Sequence, residues 1–392
     1  MYKITINAFP KTKIYVSLKE EFKKHLIDFS IRKLKLKNYY ELALWINKKS
    51  EKYNINSKFN GGDVKYWLKG KKRDMRTNIM HPKFMPLWVI CELKKLNRIS
   101  IKQTHKNIIS YRSGGKGKIV STPKLPVEIT PELESIIIHL FADGSAGDFT
   151  PSYDQKDNKC ANYFISRLKN CFGNFEVKIY KSKNKSSAQY RFPKAITDII
   201  SEYYNIASYH SKKAIIPEKI LRGKSKMNKL ACVVAFISDE GNIRDVITLN
   251  SSNKIMLSQI KKLAENCLYI CNPIRLNKSC KCYYFTISNK SINKFYKDIK
   301  KLYKLFPNCT LGTQYKKLEK LMKSRTSIKI RKTDVIYNNI LGIIERNPSN
   351  AIQIANRLDY SYSSIRQHLK AMQKKNLVKR KYINVNYIWT KS

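Results

Sequence analysis

Ile136–Gly144 reads IIIHLFADG, and Val233–Gly241 reads VVAFISDEG. Each is an apolar run ending in an acid followed by glycine. Glycine reaches the left-handed backbone region that commonly stops a helix, so each segment predicts a buried helix that ends at Asp143–Gly144 or Glu240–Gly241. The acids then sit where unpaired carbonyls already carry partial negative charge. A carboxylate there is disfavoured unless a cation compensates, and together with the last carbonyls it forms an oxygen site suited to Mg²⁺. A single Asp-Gly after an apolar run is common in turns. Two of them, each opening a matching stretch of chain, carry much more weight.

The sequences that follow do match. The first unit runs PELESIIIHLFADGSAGDF, then a stretch ending TPSYDQKD, then NKCANYFISRLKNCFG. The second runs KLACVVAFISDEGNIRDV, then ITLNSSN, then KIMLSQIKKLAENCLY. Aligned on DNKCANYFISRL and SNKIMLSQIKKL, both read as helix, acid–Gly turn, strand pair, helix, strand pair, helix. The predicted fold class is α+β with a duplicated αββαββα core. Side-by-side packing of the two helices would bring Asp143 and Glu240 together, one per strand of a pseudo-twofold duplex partner. Divalent ions between two carboxylates meet the needs of phosphodiester hydrolysis: polarised water, neutralised phosphate charge and a stabilised leaving oxygen.

The paired segments resemble the motifs of the LAGLIDADG homing endonucleases, single-chain members with two motifs, over about residues 131–325. The resemblance implies a site-specific, metal-dependent double-strand DNA endonuclease acting as a monomer, with Mg²⁺ or Mn²⁺ held by Asp143 and Glu240. It also implies solvent-positioning polar residues at Gln155 and, by the repeat alignment, Asn250. Charge-stabilising lysines would be Lys212 or Lys213 and Lys316 or Lys317. Strand residues reaching the major groove would be Tyr153, Lys156 and Lys159 in the first unit and Arg244, Thr248 and Ser252 in the second. The chain departs from the family pattern at Ile138, where a small residue is usual, and at Asp239, which stands where the first helix has Ala142. His139 reads as a packed helix residue.

Composition agrees with a polyanionic partner. The chain has 392 residues with 78 Lys+Arg against 28 Asp+Glu, a net charge of +50. The basic residues are interleaved with Tyr, Ile and Leu along the whole length, which suits a folded nucleic-acid binder better than a basic tail. The longest apolar runs, Ser135–Ala142 and Leu230–Ile237, fall far short of the roughly 18 residues of a membrane span. MYKITINAFPKTK lacks the apolar core of a secretion signal, so a cytoplasmic, intracellular location is expected. Nine cysteines in such a chain read as reduced thiols. Cys267, Cys271, Cys280 and Cys282 depart from paired CxxC spacing and read as ordinary thiols rather than a zinc site.

The flanks complete the predicted organisation. Residues 1–100 read as a helix-turn-helix-like helical domain, with Lys65 and Lys69 beside its reading helix. Residues 101–130, with YRSGGKGKIVSTPK, read as a linker. The two halves take 131–225 and 226–328. Residues 331–392 order as three helices and a hairpin, a winged-helix pattern in which Tyr362, Arg366, Gln367 and Lys370 face the major groove. Two other functions fit the same residues: a DNA-binding regulator that no longer cuts, and a helper of intron RNA splicing, for which no RNA module is visible. Double-stranded DNA is the expected partner of the nuclease and of the regulator, and RNA that of the splicing helper. With several phosphate contacts, duplex affinity should fall by roughly 10³-fold between about 50 and about 200 mM salt. Fluorescence anisotropy at each salt concentration checks this, and a flat salt response contradicts it.

Overall fold

A computed structural model describes residues 2–392 except 57, 69–70, 74–79, 115–116, 147–149, 182–185, 327–332 and 384–385, and the side chains of all of these residues except 71–73, 80–82, 324–326, 383 and 386. Its centre is a pair of helices, Pro131–Ala142 and Lys226–Glu240. Thr130 caps the first by accepting from the Leu133 N–H, with Pro131 at the first helical position. Ser225 caps the second by accepting from the Asn228 N–H. Every residue from Leu133 to Phe141, and from Leu230 to Ile237, is buried. A helix that is apolar all round has to lie inside the molecule, and these two satisfy each other: they make the most extensive contact between any two elements. Each fully buried Ile, Leu or Phe contributes about 1.5–3 kcal/mol, so this pair anchors the continuous core that extends from Ile4 to Leu321.

Gly144 and Gly241 end these helices, but not by the left-handed route. Gly241 has φ −94°, and the described glycines with positive φ are Gly114, Gly173 and Gly312. What both positions require is the absence of a side chain. A Cβ on Gly144 would lie 2.5 Å from Leu140 Cα, and one on Gly241 2.6 Å from Ile237 Cα. The chain doubles back over the last helical turn as it enters the following strand.

Each helix feeds a four-stranded antiparallel sheet with the same strand order, first–second–fourth–third. In the first unit the strands are Gly144–Ser145, Ser152–Gln155, Lys178–Lys181 and Ala188–Arg191. In the second they are Gly241–Ile243, Ile247–Ser251, Arg275–Asn277 and Cys282–Ile287. Helices Asn158–Phe172 and Lys254–Asn266 occupy matching places, capped by Asp157 and Asn253. The register corrects the repeat alignment by one residue. Gly144 pairs with Tyr153 and Gly241 with Leu249, so Gln155 corresponds to Ser251 and Asn250 corresponds to Asp154. The two helix caps obey the same spacing. The asparagine that looked shared, Asn158 and Asn253, is the first helical residue in one unit and the cap in the other.

The N-terminal region is mixed rather than helical. The helices expected there are present at Tyr39–Ser50, Gly61–Leu68 and Leu87–Leu96, but they pack with a five-stranded sheet. Its order is Asn174–Phe175, Val120–Ser121, Ile108–Ser113, Ile14–Leu18 and Met85–Pro86. Residues 101–130 are therefore not a linker. They supply helix Ile101–Asn107 and two strands of that sheet, with Ile108, Tyr111 and Val120 buried. The outermost strand, Asn174–Phe175, comes from the first unit, so that unit and the N-terminal region share one sheet.

The C-terminal region has helices Thr333–Arg346, Ala351–Leu358 and Tyr362–Lys374, then a hairpin of Val378–Ile383 and Asn386–Lys391. It has its own core, including Ile340, Ile354, Ile365, Leu369 and Trp389. No described helix is long and apolar enough to cross a membrane. Not all thiols are free as expected: Cys280 and Cys282 form a disulfide where the turn brings them together. Cys267 is buried and Cys271 half-buried, both free. Gly144→Ala and Gly241→Ala should each destabilise the chain by about 1–3 kcal/mol, because the methyl can enter only by moving helix backbone. Equilibrium urea unfolding measures this; losses within about 0.5 kcal/mol at both sites would show an ordinary, accommodating turn.

Candidate active site

Asp143 is the C-cap of the first central helix and Glu240 the last residue of the second. The parallel packing of the two helices places both acids at one end of the pair. Burial pushes the Asp143 carboxyl up to about 8, and the charges of Asp239, Glu240 and Asp154 push the same way, while a hydrogen bond from Gln155 pulls back. Glu240 is raised by burial and by Asp239. Asp143 therefore feels the charge of Glu240, and both acids feel Asp239, in a poorly solvated place. The donor set fits a divalent ion: two carboxylates that gain from a positive charge, beside helix-end carbonyls. Among the described residues no group of three His, Cys, Asp or Glu is arranged to hold a metal ion, so an ion here would rest on the two carboxylates alone.

Behind the acids lies a polar network that the sequence gave little reason to expect. Asp239 is fully buried and meets His139 across the helix pair, Nδ1 to Oδ2 at 2.7 Å. The Tyr153 hydroxyl donates to Asp239 Oδ1 at 2.8 Å and lies 3.2 Å from His139 Nδ1. Gln155 Nε2 donates to the Tyr153 hydroxyl at 3.1 Å and to Asp143 Oδ2 at 2.8 Å. The result is a continuous chain from one helix end to the acid of the other. His139 does prove to be a packed helix residue, and burial together with Arg167 holds it well below the usual histidine range. The ring is therefore neutral, with Nδ1 turned to Asp239 and Tyr153, and Nε2 is buried without a hydrogen-bond partner among the described residues. Arg167, 2% exposed, lies beneath the network and donates to Ser135 Oγ at 3.0 Å. Asp239 is pushed up to about 8 by burial, against the Tyr153 hydrogen bond and the Arg167 charge.

The other predicted residues divide clearly. Tyr153 does not face a groove: it is 1% exposed and stacks on Phe164 with ring centroids 4.1 Å apart. In strand Ser152–Gln155 its side chain alternates to the inner face, a parity that an irregular strand start hides in the sequence. Lys156 and Lys159 are exposed at the start of helix Asn158–Phe172, and Arg244 and Ser252 are exposed beside the second sheet. Thr248 and Asn250 share the outer face of that sheet with Tyr284, Asn277 and Lys278 around a shallow groove. Asn250 thus belongs to an outward-facing surface and does not hydrogen-bond either acid. Lys212, Lys213 and Lys316 are exposed, and none forms an ion pair with Asp143 or Glu240. In the N-terminal region Lys65 is exposed on helix Gly61–Leu68, and Lys69 lies outside the described residues. Tyr362, Arg366, Gln367 and Lys370 are all exposed on one helix, opened by Ser361 accepting from the Ser364 N–H.

Sequence reasoning also missed Gln314. Its Nε2 donates to the Gly241 carbonyl at 2.9 Å, and its Oε1 accepts from the Ile243 N–H at 3.4 Å. It thereby fixes the strand that leaves Glu240. Only its closeness to the predicted Lys316 hinted at such a place.

No family model matches the chain, and no curated protein matches it in sequence. Solved structures show a weak likeness. The chain is similar to mesophilic variants of the homing endonuclease I-DmoI, with 15% identity, a TM-score of 0.31, and coverage of 43% of this chain and 96% of that one. It is similar to I-DmoI in complex with DNA and Mn, with 14% identity, a TM-score of 0.31 and coverage of 43% and 96%. It is also similar to full-length DUF199/WhiA from Thermatoga maritima, with 11% identity, a TM-score of 0.32 and coverage of 64% and 93%.

The raised carboxylates predict how stability follows pH. Asp143 and Asp239 titrate near 8 in the folded chain, against about 3.9 when unfolded. Between those values the folded chain holds protons that the unfolded chain has released, so their contribution is complete below about pH 4 and is lost as pH rises towards 8. Metal-free melting temperature should fall over that window, and Asp143→Asn or Asp239→Asn should flatten the fall. A melting temperature that rises from about pH 5 to about pH 8 in the native chain would contradict this.

Proposed function

We propose that this chain is a site-specific double-stranded DNA endonuclease of the LAGLIDADG type, a monomer whose two αββαββα halves each present one metal-holding acid. The observation that carries the reading is the meeting of Asp143 and Glu240 at the ends of two mutually buried helices, with the charge of Glu240 felt at Asp143. Mg²⁺ or Mn²⁺ held there would neutralise phosphate charge and polarise water. The residues of the chain do the rest. Asp143 and Glu240 supply carboxylate oxygens, Gln155 orients Asp143, and Gln314 holds the backbone beside Glu240. In this reading Lys156 and Lys159, exposed around the start of helix Asn158–Phe172, and Arg244, Thr248 and Ser252, on or beside the second sheet, would contact the duplex. The C-terminal region reads as a winged helix that adds Tyr362, Arg366, Gln367 and Lys370 to a major groove. The net charge of +50 supports the polyanionic partner.

One observation favours the alternative of a DNA-binding regulator that does not cut: the exposed Lys212, Lys213 and Lys316 do not reach the acids. A target selected from random duplexes separates the two. With Mg²⁺ the native chain should cut it, chelation should stop cutting, and Asp143→Asn with Glu240→Gln should lower the rate by roughly 10³-fold or more while leaving binding in place. The nuclease reading is falsified if the double variant cuts as fast as the native chain. Metal affinity should rise with pH up to about 8, since the Asp143 proton has to leave before an ion enters.

A further inference from the structure

Internal duplication allows each position near Asp143 to be compared with its counterpart near Glu240. By the motif alignment His139 corresponds to Phe236 and Ala142 to Asp239. By the strand register Tyr153 corresponds to Leu249 and Gln155 to Ser251. Phe236 and Leu249 are fully buried apolar residues. Ser251 Oγ is engaged elsewhere, accepting from the Asn253 N–H at 3.0 Å. None of the polar groups around Asp143 is repeated in the second half. Asp239, which the second helix carries where the first has Ala142, points across the helix pair into the first half's network.

We propose that Asp239, His139, Tyr153 and Gln155 form a one-sided brace that positions the Asp143 carboxylate, leaving Glu240 without a counterpart, so that the two acids hold metal unequally and the two DNA strands are cut at unequal rates. The strand-rate clause rests on the nuclease reading; the brace itself does not. Geometry supplies the mechanism. Gln155 donates to Asp143 Oδ2 from a side chain held by the Tyr153 hydroxyl, and that hydroxyl is fixed by Asp239 and His139 among buried side chains. Such outer partners set the direction of a metal-holding carboxylate, and losing them typically weakens metal binding roughly 10–100-fold. Glu240 accepts no side-chain hydrogen bond from any described residue. Gln314 steadies the backbone beside Glu240, and among the described residues no side chain plays for its carboxylate the part that Gln155 plays for Asp143. These four are positioning residues, since none touches the reacting atoms.

Two measurements on the full chain test this. Mn²⁺ uptake is followed by the electron paramagnetic resonance signal of the free ion, without requiring any cleavage. Nicking of each strand is followed on a selected duplex with a distinct label on each 5′ end. Tyr153→Phe and Gln155→Leu should each weaken Mn²⁺ binding by roughly 10-fold and change the ratio of the two nicking rates several-fold. Ser251→Ala, at the matching place in the second half, should change neither. Because Gln155 is only half-buried at the strand end, its variant keeps the fold even if the Tyr153 core is disturbed. Native Mn²⁺ affinity in both brace variants overturns the proposal. If the variants lose Mn²⁺ while the native chain never cuts DNA, the brace stands and the nuclease reading falls. A native chain that takes up no Mn²⁺ overturns both.

Discussion

Three carboxylates, Asp143, Asp239 and Glu240, are confined at one end of a helix pair that buries almost everything else along its length. Like charges in a poorly solvated place repel strongly, and the rest of the site can be understood as a response to that repulsion. Asp239 is satisfied from within, by a neutral histidine, a tyrosine hydroxyl and the field of the buried Arg167. Asp143 and Glu240 are satisfied only in part, and they are the two that open outwards. The internal network and the acid pair are therefore parts of one arrangement: Asp239, which the protein balances from within, is sealed in, and Asp143 and Glu240 stay half-buried at the helix ends.

The same economy explains why so short a motif governs so much chain. The apolar helices need each other to be buried at all, and their pairing sets the spacing of the acids. Gly144 and Gly241 let the chain fold back within van der Waals range of the turn it has just left, which aims the following strands outward from the acid pair. A side chain at either place would push the sheet away from the helix end, and the outward-facing basic and polar residues of that sheet would lose their common alignment with the acids.

Much of this was legible in the sequence. Apolar length, the acid–Gly ends and the duplication gave the helices, the position of Asp143 and Glu240 at their ends, and the succession of helices and strand pairs in both units. Three things were hidden, each for a physical reason. Glycine has two uses, and only coordinates distinguish a left-handed turn from a close approach. The inward or outward direction of Tyr153 depends on strand parity, which shifts with a single residue, and the same single residue displaced Asn250 from Gln155 when helix residues rather than helix caps were matched. Residues 101–130 read as a linker because Gly114, Gly115, Gly117, Pro123 and Pro126 fall close together in them, whereas the buried positions at Ile108, Ser110 and Val120 belong to a sheet completed by a strand from far along the chain.

That last strand constrains how such a molecule can be rebuilt. Asn174–Phe175 is claimed by the N-terminal sheet, so the first half is stitched to its neighbour through backbone hydrogen bonds that have no equivalent in the second half. Meanwhile the second half contributes Asp239 to the interior of the first. The halves are thus alike in outline but not interchangeable. Two copies of either one would leave a raw sheet edge or a buried acid without its partners, so neither half can stand in for the other.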